Sequence, residues 1–173
     1  MQTSSITSRE PRSRTEGFRT EPRPDDAEAI EALTRATAVF SPEEVVVARE
    51  LLEENLAQGE DASGYFFIFA DGVGGLDGYA CYGPIPMTAN RYELYWIAVH
   101  PDAGRSGLGK RLARATEEAV HAAGGTHLFA TTSTRDQYWA ARAFYLAQGY
   151  RQMADVTDYF SDGDGMAMFG KKL

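Results

Sequence analysis

Apolar positions along the chain keep two rhythms, one at helical spacing and one in short strand-length runs, and the two alternate along the sequence. Gly17 to Glu21 reads as a short strand, after which Pro22 and Pro24 punctuate the chain and Asp25 and Asp26 open a helix expected to reach about Phe40. The next start is sharper. Ser41-Pro42-Glu43-Glu44 offers an N-cap serine, a proline at the first helical position and a glutamate at the third, which make a reciprocal capping box. Val45, Val46, Leu51, Leu52 and Leu56 then give that helix its apolar face. Tyr65 to Ala70 and Gly78 to Gly83 read as strands around the glycine-rich loop Asp71 to Gly75, and Tyr92 to Val99 reads as another after Pro84 and Pro86.

A further helix is expected from the turn at 104–109 to about Ala123, with Leu108, Leu112, Ala115, Ala119 and Ala122 at helical spacing and Gly124-Gly125 as its stop. Leu128 to Thr132 is strand again. Thr134 and Gln137 form a second capping box before an alanine-rich helix that ends at Gly149. Two closing strands, Tyr150 to Phe160 and Met166 to Lys172, flank Ser161-Asp162-Gly163-Asp164-Gly165. Helices interleaved with strands, followed by a hairpin, predict a mixed α/β sheet covered by helices, in one domain over residues 17–173. Residues 1–16, rich in Ser, Thr and Arg, are expected to form a disordered tail.

Composition narrows the class. A chain of 173 residues with 43% hydrophobic content is long enough for one full core, and it has no apolar run of membrane-spanning length. Cys81 is the sole cysteine, which excludes an internal disulfide and fits a reducing cytosol; the start also lacks a hydrophobic signal core, so a cytoplasmic location is expected. The net charge of −8 argues against a nucleic-acid partner, which calls for a broad basic face.

Against that acidic background Arg105, Lys110, Arg111 and Arg114 gather where an apolar strand passes through Gly104-Arg105-Ser106-Gly107-Leu108-Gly109-Lys110 into a helix. The first N–H groups of a helix lack partners and sit at the positive end of its dipole, so Gly107 and Gly109 let the backbone approach an anion. A small polyphosphate ligand is expected. The segment matches the nucleotide-binding P-loop up to its lysine, but Arg111 then stands where a Ser or Thr must hold magnesium, and no later apolar strand ends in an obvious magnesium-binding Asp.

An apolar strand ending in Val99-His100-Pro101, a short loop, then Gly107-Leu108-Gly109 opening a helix resembles the acetyl-CoA site of the GNAT N-acetyltransferase superfamily. A second match lies downstream. Ala141-Arg142-Ala143-Phe144-Tyr145-Leu146-Ala147-Gln148-Gly149-Tyr150 resembles that family's Ala-x-x-Phe-Tyr-x-x-x-Gly-Phe element, on the helix lining the other side of the coenzyme. Order and separation agree, over roughly residues 17 to 173. The resemblance implies a single GNAT-like α/β (α+β) domain: a twisted, mixed, mostly antiparallel sheet of six to seven strands flanked by about four helices. It also implies acetyl-CoA as cosubstrate, no metal, and coenzyme contacts from Ile97, Ala98, Val99, Gly104, Arg105, Ser106, Gly107, Leu108, Gly109, Lys110, Tyr138, Ala141 and Phe144. Three positions depart from the pattern. Gly104 replaces the usual Gln or Arg, Arg105 follows where glycine is common, and Tyr138 stands where many relatives have Asn.

An acetyl thioester is attacked by a neutral amine, whereas an amine at pH 7 is mostly ammonium, so a base must take a proton directly or through water. Glu93 occupies the place on the strand where some family members carry a catalytic glutamate. Two readings of it stand: the base, or a solvated strand residue beside a water chain. On an undistorted strand Glu93, Tyr95, Ile97 and Val99 share a face, and a bulge, which the family often has here, would change that parity. By the same resemblance Tyr145 is placed to protonate the departing thiolate of CoA, the alternative being an aromatic core position beside Phe144. The backbone N–H near Val99 is expected to polarise the thioester carbonyl.

The remaining conspicuous residues carry less. Cys81 has no histidine placed with it and is expected to pack; His100, His121 and His127 lack metal-ligand spacing; and Asp162-Gly163-Asp164-Gly165 reads as a hairpin turn rather than a calcium loop. Trp96 and Trp139 are expected in the core or a cavity wall, and Trp96, Tyr82, Tyr92 and Tyr95 could supply an aromatic wall beside a small ligand. The acceptor, expected between the first helix pair and the strand of Glu93, is then a primary amine of a small molecule. A protein or peptide amine, and a non-catalytic acetyl-CoA sensor or assembly subunit, remain as alternatives, and a homodimer is compatible with each.

Overall fold

Period-two burial along β2 (Phe66–Asp71) divides the interior. Phe67 and Phe69 enter one core while Ile68 and Ala70 enter the other, on opposite faces of the sheet. Over residues 17–173, the part of the chain that the computed structural model describes, β1 (Phe18–Arg19), β2, β3 (Leu76–Pro84), β4 (Arg91–Val99), β5 (His127–Ser133), β6 (Arg151–Ser161) and β7 (Asp164–Lys172) form one seven-stranded sheet. Its order is β1-β2-β3-β4-β5-β7-β6, and every neighbouring pair is antiparallel except β4 and β5. Helices α1 (Asp26–Ala36) and α2 (Pro42–Gln58) cover the face of Phe67, Phe69 and Tyr79, and the one-turn α3 (Glu60–Ser63) follows them. Helix α4 (Leu108–Ala122) and the Tyr145 side of α5 (Trp139–Ala147) pack on the opposite face with Leu94, Leu128 and Phe169. The tail expected at 1–16 lies outside the described residues.

The Ser41 capping box forms as the spacing predicts: Ser41 Oγ accepts from Glu44 N–H at 3.2 Å, and Glu44 Oε2 accepts from Ser41 N–H at 2.7 Å. Other boundaries differ. α1 stops at Ala36, not near Phe40, because Ala38 adopts a left-handed φ of 56° that ends the helical path. Asp25 makes no side-chain cap; Asp26 instead accepts from Arg23 N–H at 2.6 Å and from both terminal nitrogens of Arg19 at 2.7 and 2.8 Å, pinning the short β1 to α1. The second capping box does not form. Thr134 Oγ1 accepts from Gly165 N–H at 3.0 Å and Gln137 Nε2 donates to the Val39 carbonyl at 2.9 Å, so long-range partners take both side chains and a 3₁₀ turn, Asp136–Tyr138, precedes α5.

The buried stripes are also rotated from expectation. On α2 the buried set is Val45, Ala48, Leu52 and Asn55, with Val46 and Leu56 exposed; on α4 it is Leu108, Leu112, Ala113, Thr116 and Val120, with Ala122 exposed. Asn55 explains part of this, since its amide donates to the Tyr65 carbonyl at 2.7 Å and so earns a core position for a polar residue.

Strand β4 is irregular on both sides. Its parallel pairing with β5 runs only through Arg91↔His127, Tyr92↔Leu128 and Glu93↔Phe129, and the strands part beyond it. On the other side of β4 the register jumps from Cys81↔Trp96 to Tyr82↔Leu94, leaving Tyr95 as the extra residue of a bulge. Parity therefore flips: Tyr92 and Leu94 before the bulge share a core with Ile97 and Val99 after it, while Tyr95, Trp96 and Ala98 turn to the α1–α2 side.

Candidate active site

Where β4 and β5 separate, a cavity of about 970 Å³ opens. Tyr95, Trp96, Ile97 and Val99 line it from β4, and Thr131, Thr132 and Ser133 from β5. Gly109 of α4 and Tyr138, Ala141, Phe144 and Tyr145 at and in α5 form another wall. The α1–α2 junction contributes Val39, Phe40, Ser41, Glu43 and Glu44, and the closing hairpin Phe160, Ser161 and Asp164. The volume sits at the upper end for ligand sites of enzymes, which run to about 1,000 Å³.

The glycine-rich turn leads straight to this opening. After β4, His100 Nδ1 accepts from Asp102 N–H at 3.2 Å in a 3₁₀ turn, Pro101–Ala103, Gly104 N–H donates to the Pro101 carbonyl at 3.1 Å, and Ser106 Oγ donates to the Ala103 carbonyl at 2.7 Å. Arg105 and Gly107 both take left-handed φ values, 62° and 73°. Gly107 adopts its angle without the penalty Arg105 carries, and a Cβ there would meet nothing within 4 Å, so the space above its backbone is open. No side chain caps α4, and its first internal bond, Arg111 N–H to the Gly107 carbonyl, leaves the N–H groups of residues 108–110 for a ligand. A methyl on Gly109 would touch Phe144 and Val99 at 3.5 and 3.7 Å, an ordinary contact, so its smallness keeps cavity space rather than relieving a clash.

Tyr145 is 6% exposed, stacked on Phe169 at 5.4 Å and edge-on to Phe144 at 5.6 Å. Burial, with a smaller contribution from the charge of Glu93, pushes its phenol well above the ordinary tyrosine range, so it keeps its proton at neutral pH. Glu93 does not line the cavity. It sits at the apex of the cleft, opposite Phe129, and its Oε1 accepts from Thr131 Oγ1 at 3.2 Å. Burial raises its carboxyl above the usual range, and the Thr131 bond offsets part of that rise.

Of the residues named from sequence, Ile97, Val99, Gly109, Tyr138, Ala141, Phe144 and Tyr145 meet on the one cavity. Ala98 and Leu108 turn their side chains into the two cores, and Gly104, Arg105, Ser106, Gly107 and Lys110 lie in the exposed turn and first helical residues. Tyr138 has a partner that no motif announces: its O–H donates to Glu44 Oε2, the same oxygen that caps α2. Phe40 lies tilted against Trp96 with ring centres 5.2 Å apart and meets Tyr138 edge-on at 6.3 Å, so Phe40, Tyr95 and Trp96 give the cavity an aromatic wall. Tyr82 and Tyr92 do not join it, packing instead with the core around Leu94, and Trp139 is 67% exposed on the outer side of α5, in neither core nor wall.

Glu44, Thr131 and a cluster of Ser133, Arg135 and Asp164 are among the wall residues that pattern reading missed. Ser133 Oγ donates to Asp164 Oδ1 at 2.5 Å and Arg135 Nε contacts Asp164 Oδ2 at 3.1 Å, which fixes the aspartate in a hairpin turned at Asp162-Gly163. Among the described residues no group of three or more His, Cys, Asp or Glu is placed to hold a metal ion, and no helix is long and apolar enough to cross a membrane. Cys81 is fully buried, and burial pushes its thiol far up. Iodoacetamide is therefore expected to label it only as fast as the protein unfolds, a rate measurable by mass spectrometry; rapid labelling of the native protein would show an accessible thiolate.

The family model for the acetyltransferase (GNAT) family matches residues 27–150. A GNAT-family protein of Desulfovibrio desulfuricans is 39% identical with a TM-score of 0.86, the match covering 90% of this chain and 97% of that one. The ribosomal-protein-S18-alanine N-acetyltransferase of Escherichia coli (18% identity, TM-score 0.68, 90% and 93% covered) and the PaiA N-acetyltransferase of Thermoplasma acidophilum in complex with coenzyme A (18%, 0.68, 90% and 99%) share the fold. No curated protein matches the chain. With the family model spanning most of the cleft and a relative this similar over nearly its whole length, the chain belongs to the GNAT acetyltransferase family and is an N-acetyltransferase.

Proposed function

We propose that the protein moves the acetyl group of acetyl-CoA directly to the primary amine of a small molecule, both bound together in the cleft between β4 and β5. The observation that carries this reading is the convergence of an uncapped α4 N-terminus, the parted strand β4 and a protonated Tyr145 on one cavity. The N–H groups of residues 108–110 hold the diphosphate, with Arg105 and Lys110 exposed beside them. The backbone of Ile97 to Val99, freed from pairing with β5, receives the pantetheine arm and polarises the thioester carbonyl. Tyr145 gives its proton to the departing thiolate and recovers one from the amine nitrogen after attack, so bond making and proton transfer balance. Glu93 is the base that first neutralises the ammonium.

On the acceptor side Phe40, Tyr95 and Trp96 face a wall that also bears Glu43 and Glu44, a combination that favours a small organic cation over an anionic acceptor. A complex of coenzyme A with the Thermoplasma neighbour of the same fold is consistent with the assignment of the donor side. A cytoplasmic location suits both acetyl-CoA and a free Cys81 thiol.

Thermal unfolding tests the donor half. Acetyl-CoA at about 100 times its Kd contributes about 2.7 kcal/mol, a rise in Tm of roughly 5–10 °C for a domain of this size, while ATP with magnesium gives much less. Gly107→Val diminishes the response, because a β-branched residue resists a φ of 73° and its Cβ occupies the open space above the turn. Stabilisation by ATP–magnesium alone would replace this reading with a nucleotide-binding one. A panel of spermidine, tyramine, kanamycin and free amino acids, followed by release of CoA thiol, tests the acceptor half: acetylation only of peptide N-termini, or of nothing, would remove the small-molecule assignment.

A further inference from the structure

One side chain links Glu93 to the cavity wall. The glutamate is absent from the cavity wall, Thr131 is part of it, and Thr131 Oγ1 donates to Glu93 Oε1 at 3.2 Å. The fold makes this arrangement for a local reason. Phe129 is the last β5 residue paired with β4, opposite Glu93, and alternation puts Thr131 on the same face two residues further on, where the strands have begun to part. Its backbone stays registered with Met168 of β7, so the side chain is held on a paired strand while it spans the floor of the cleft. A base set back from the cavity wall reaches a ligand there through a group that is donor and acceptor at once, and a hydroxyl is both.

We propose that the hydroxyl of Thr131 relays the proton of the acceptor ammonium to Glu93, which makes Thr131 a catalytic residue of the acetyl transfer. The inference rests on the assignment of Glu93 as base. In the step, an N–H bond of the ammonium breaks as its proton forms an O–H bond at Thr131 Oγ1, and the proton that Oγ1 already carries passes to Glu93 Oε1. The amine becomes neutral, Glu93 becomes a carboxylic acid, and Thr131 ends as the hydroxyl it began. No other co-reactant is required. The groups that titrate near Glu93 are Tyr95 on β4 and Tyr145 on α5, both with phenols raised by burial, Tyr95 to about 12, so neither changes charge over the working range. The acid limb of the rate profile therefore belongs to Glu93.

The test compares Thr131→Val, which keeps shape and β-branching but loses the hydroxyl, with Thr131→Ser, which keeps the hydroxyl, and with Glu93→Gln. Turnover is followed with whichever of spermidine, tyramine, kanamycin or a free amino acid the wild type acetylates fastest. Thr131→Val is expected to lower kcat at least tenfold with little change in KM for acetyl-CoA, and Thr131→Ser to stay within a few fold of wild type. The acid limb should also move to higher pH in Thr131→Val, since the lost bond favoured the ionised carboxylate. Carboxyl-carbon NMR of Glu93 reads the same upward shift without any amine, so the contact is tested even where turnover is slow. Loss in Glu93→Gln with full activity in Thr131→Val overturns the relay and leaves Glu93 as base. Full activity in Glu93→Gln overturns the base assignment and the relay with it. Equal impairment of the Val and Ser variants, or an unmoved Glu93 titration, reduces Thr131 to a structural residue.

Discussion

Tyr145→Phe is expected to fold, to keep its stabilisation by acetyl-CoA, and to lose turnover by about a hundredfold or more, the range that general acid catalysis supplies. The ring's neighbours are the reason the fold survives: Phe169, Phe144 and Tyr150 all pack against the aromatic face within about 5.6 Å, and a phenylalanine keeps each of those contacts. What disappears is a single O–H that burial keeps protonated. Because wild-type Tyr145 does not ionise near neutrality, the ratio of wild-type to variant rate should stay flat from about pH 6 to 9, a range well below the ordinary tyrosine pKa. Single-turnover measurement of CoA release, with chemistry limiting, decides the matter. Equal rates would return Tyr145 to the core as a packing residue.

Glu93→Gln is expected to show the opposite pH behaviour. Without a base, the reaction waits for the fraction of amine that is already neutral, which grows about tenfold per pH unit below the amine pKa. The deficit should be greatest at low pH and shrink as pH rises. Stability separates this from damage to the fold. Burial raises the folded pKa of Glu93 above its unfolded value, so ionising it opposes folding; that cost appears as pH rises through the unfolded value and is complete above the folded one. Glutamine removes the cost while its side-chain carbonyl still accepts from Thr131, so the variant should melt no lower than wild type at pH 7 and above. A lower Tm together with a pH-independent deficit would mean that Glu93 holds the cleft together and takes no proton.

The place of Tyr145 on the cavity and of Glu93 beside it was legible because the signals are local. The strand, turn and helix from Tyr92 to Leu112 carry their chemistry in consecutive residues, and Ala141 to Tyr150 keeps its motif on one helix. Helix stops and buried stripes were less legible, since a left-handed Ala38 and an amide-bonded Asn55 follow from tertiary partners rather than from propensity. The capping box at Thr134 and Gln137 failed for the same cause: each side chain had a better partner far away in sequence, Gly165 for one and Val39 for the other. Thr131 carried no pattern at all. Its place in the cavity wall follows from the point at which β4 and β5 stop pairing, and nothing in a strand's own sequence marks where its neighbour departs.

Glu44 closes two bonds with one carboxylate, to the N–H of Ser41 at the start of α2 and to the O–H of Tyr138 at the start of α5. The α1–α2 side of the cavity and its α5 side are therefore fastened at a shared atom. Any free energy by which one ligand favours that fastened state must, by reciprocity, be returned to the other ligand in equal measure. Cutting the link in Tyr138→Phe is expected to reduce whatever coupling the two walls carry, read as the change in the Kd of one ligand when the other is present.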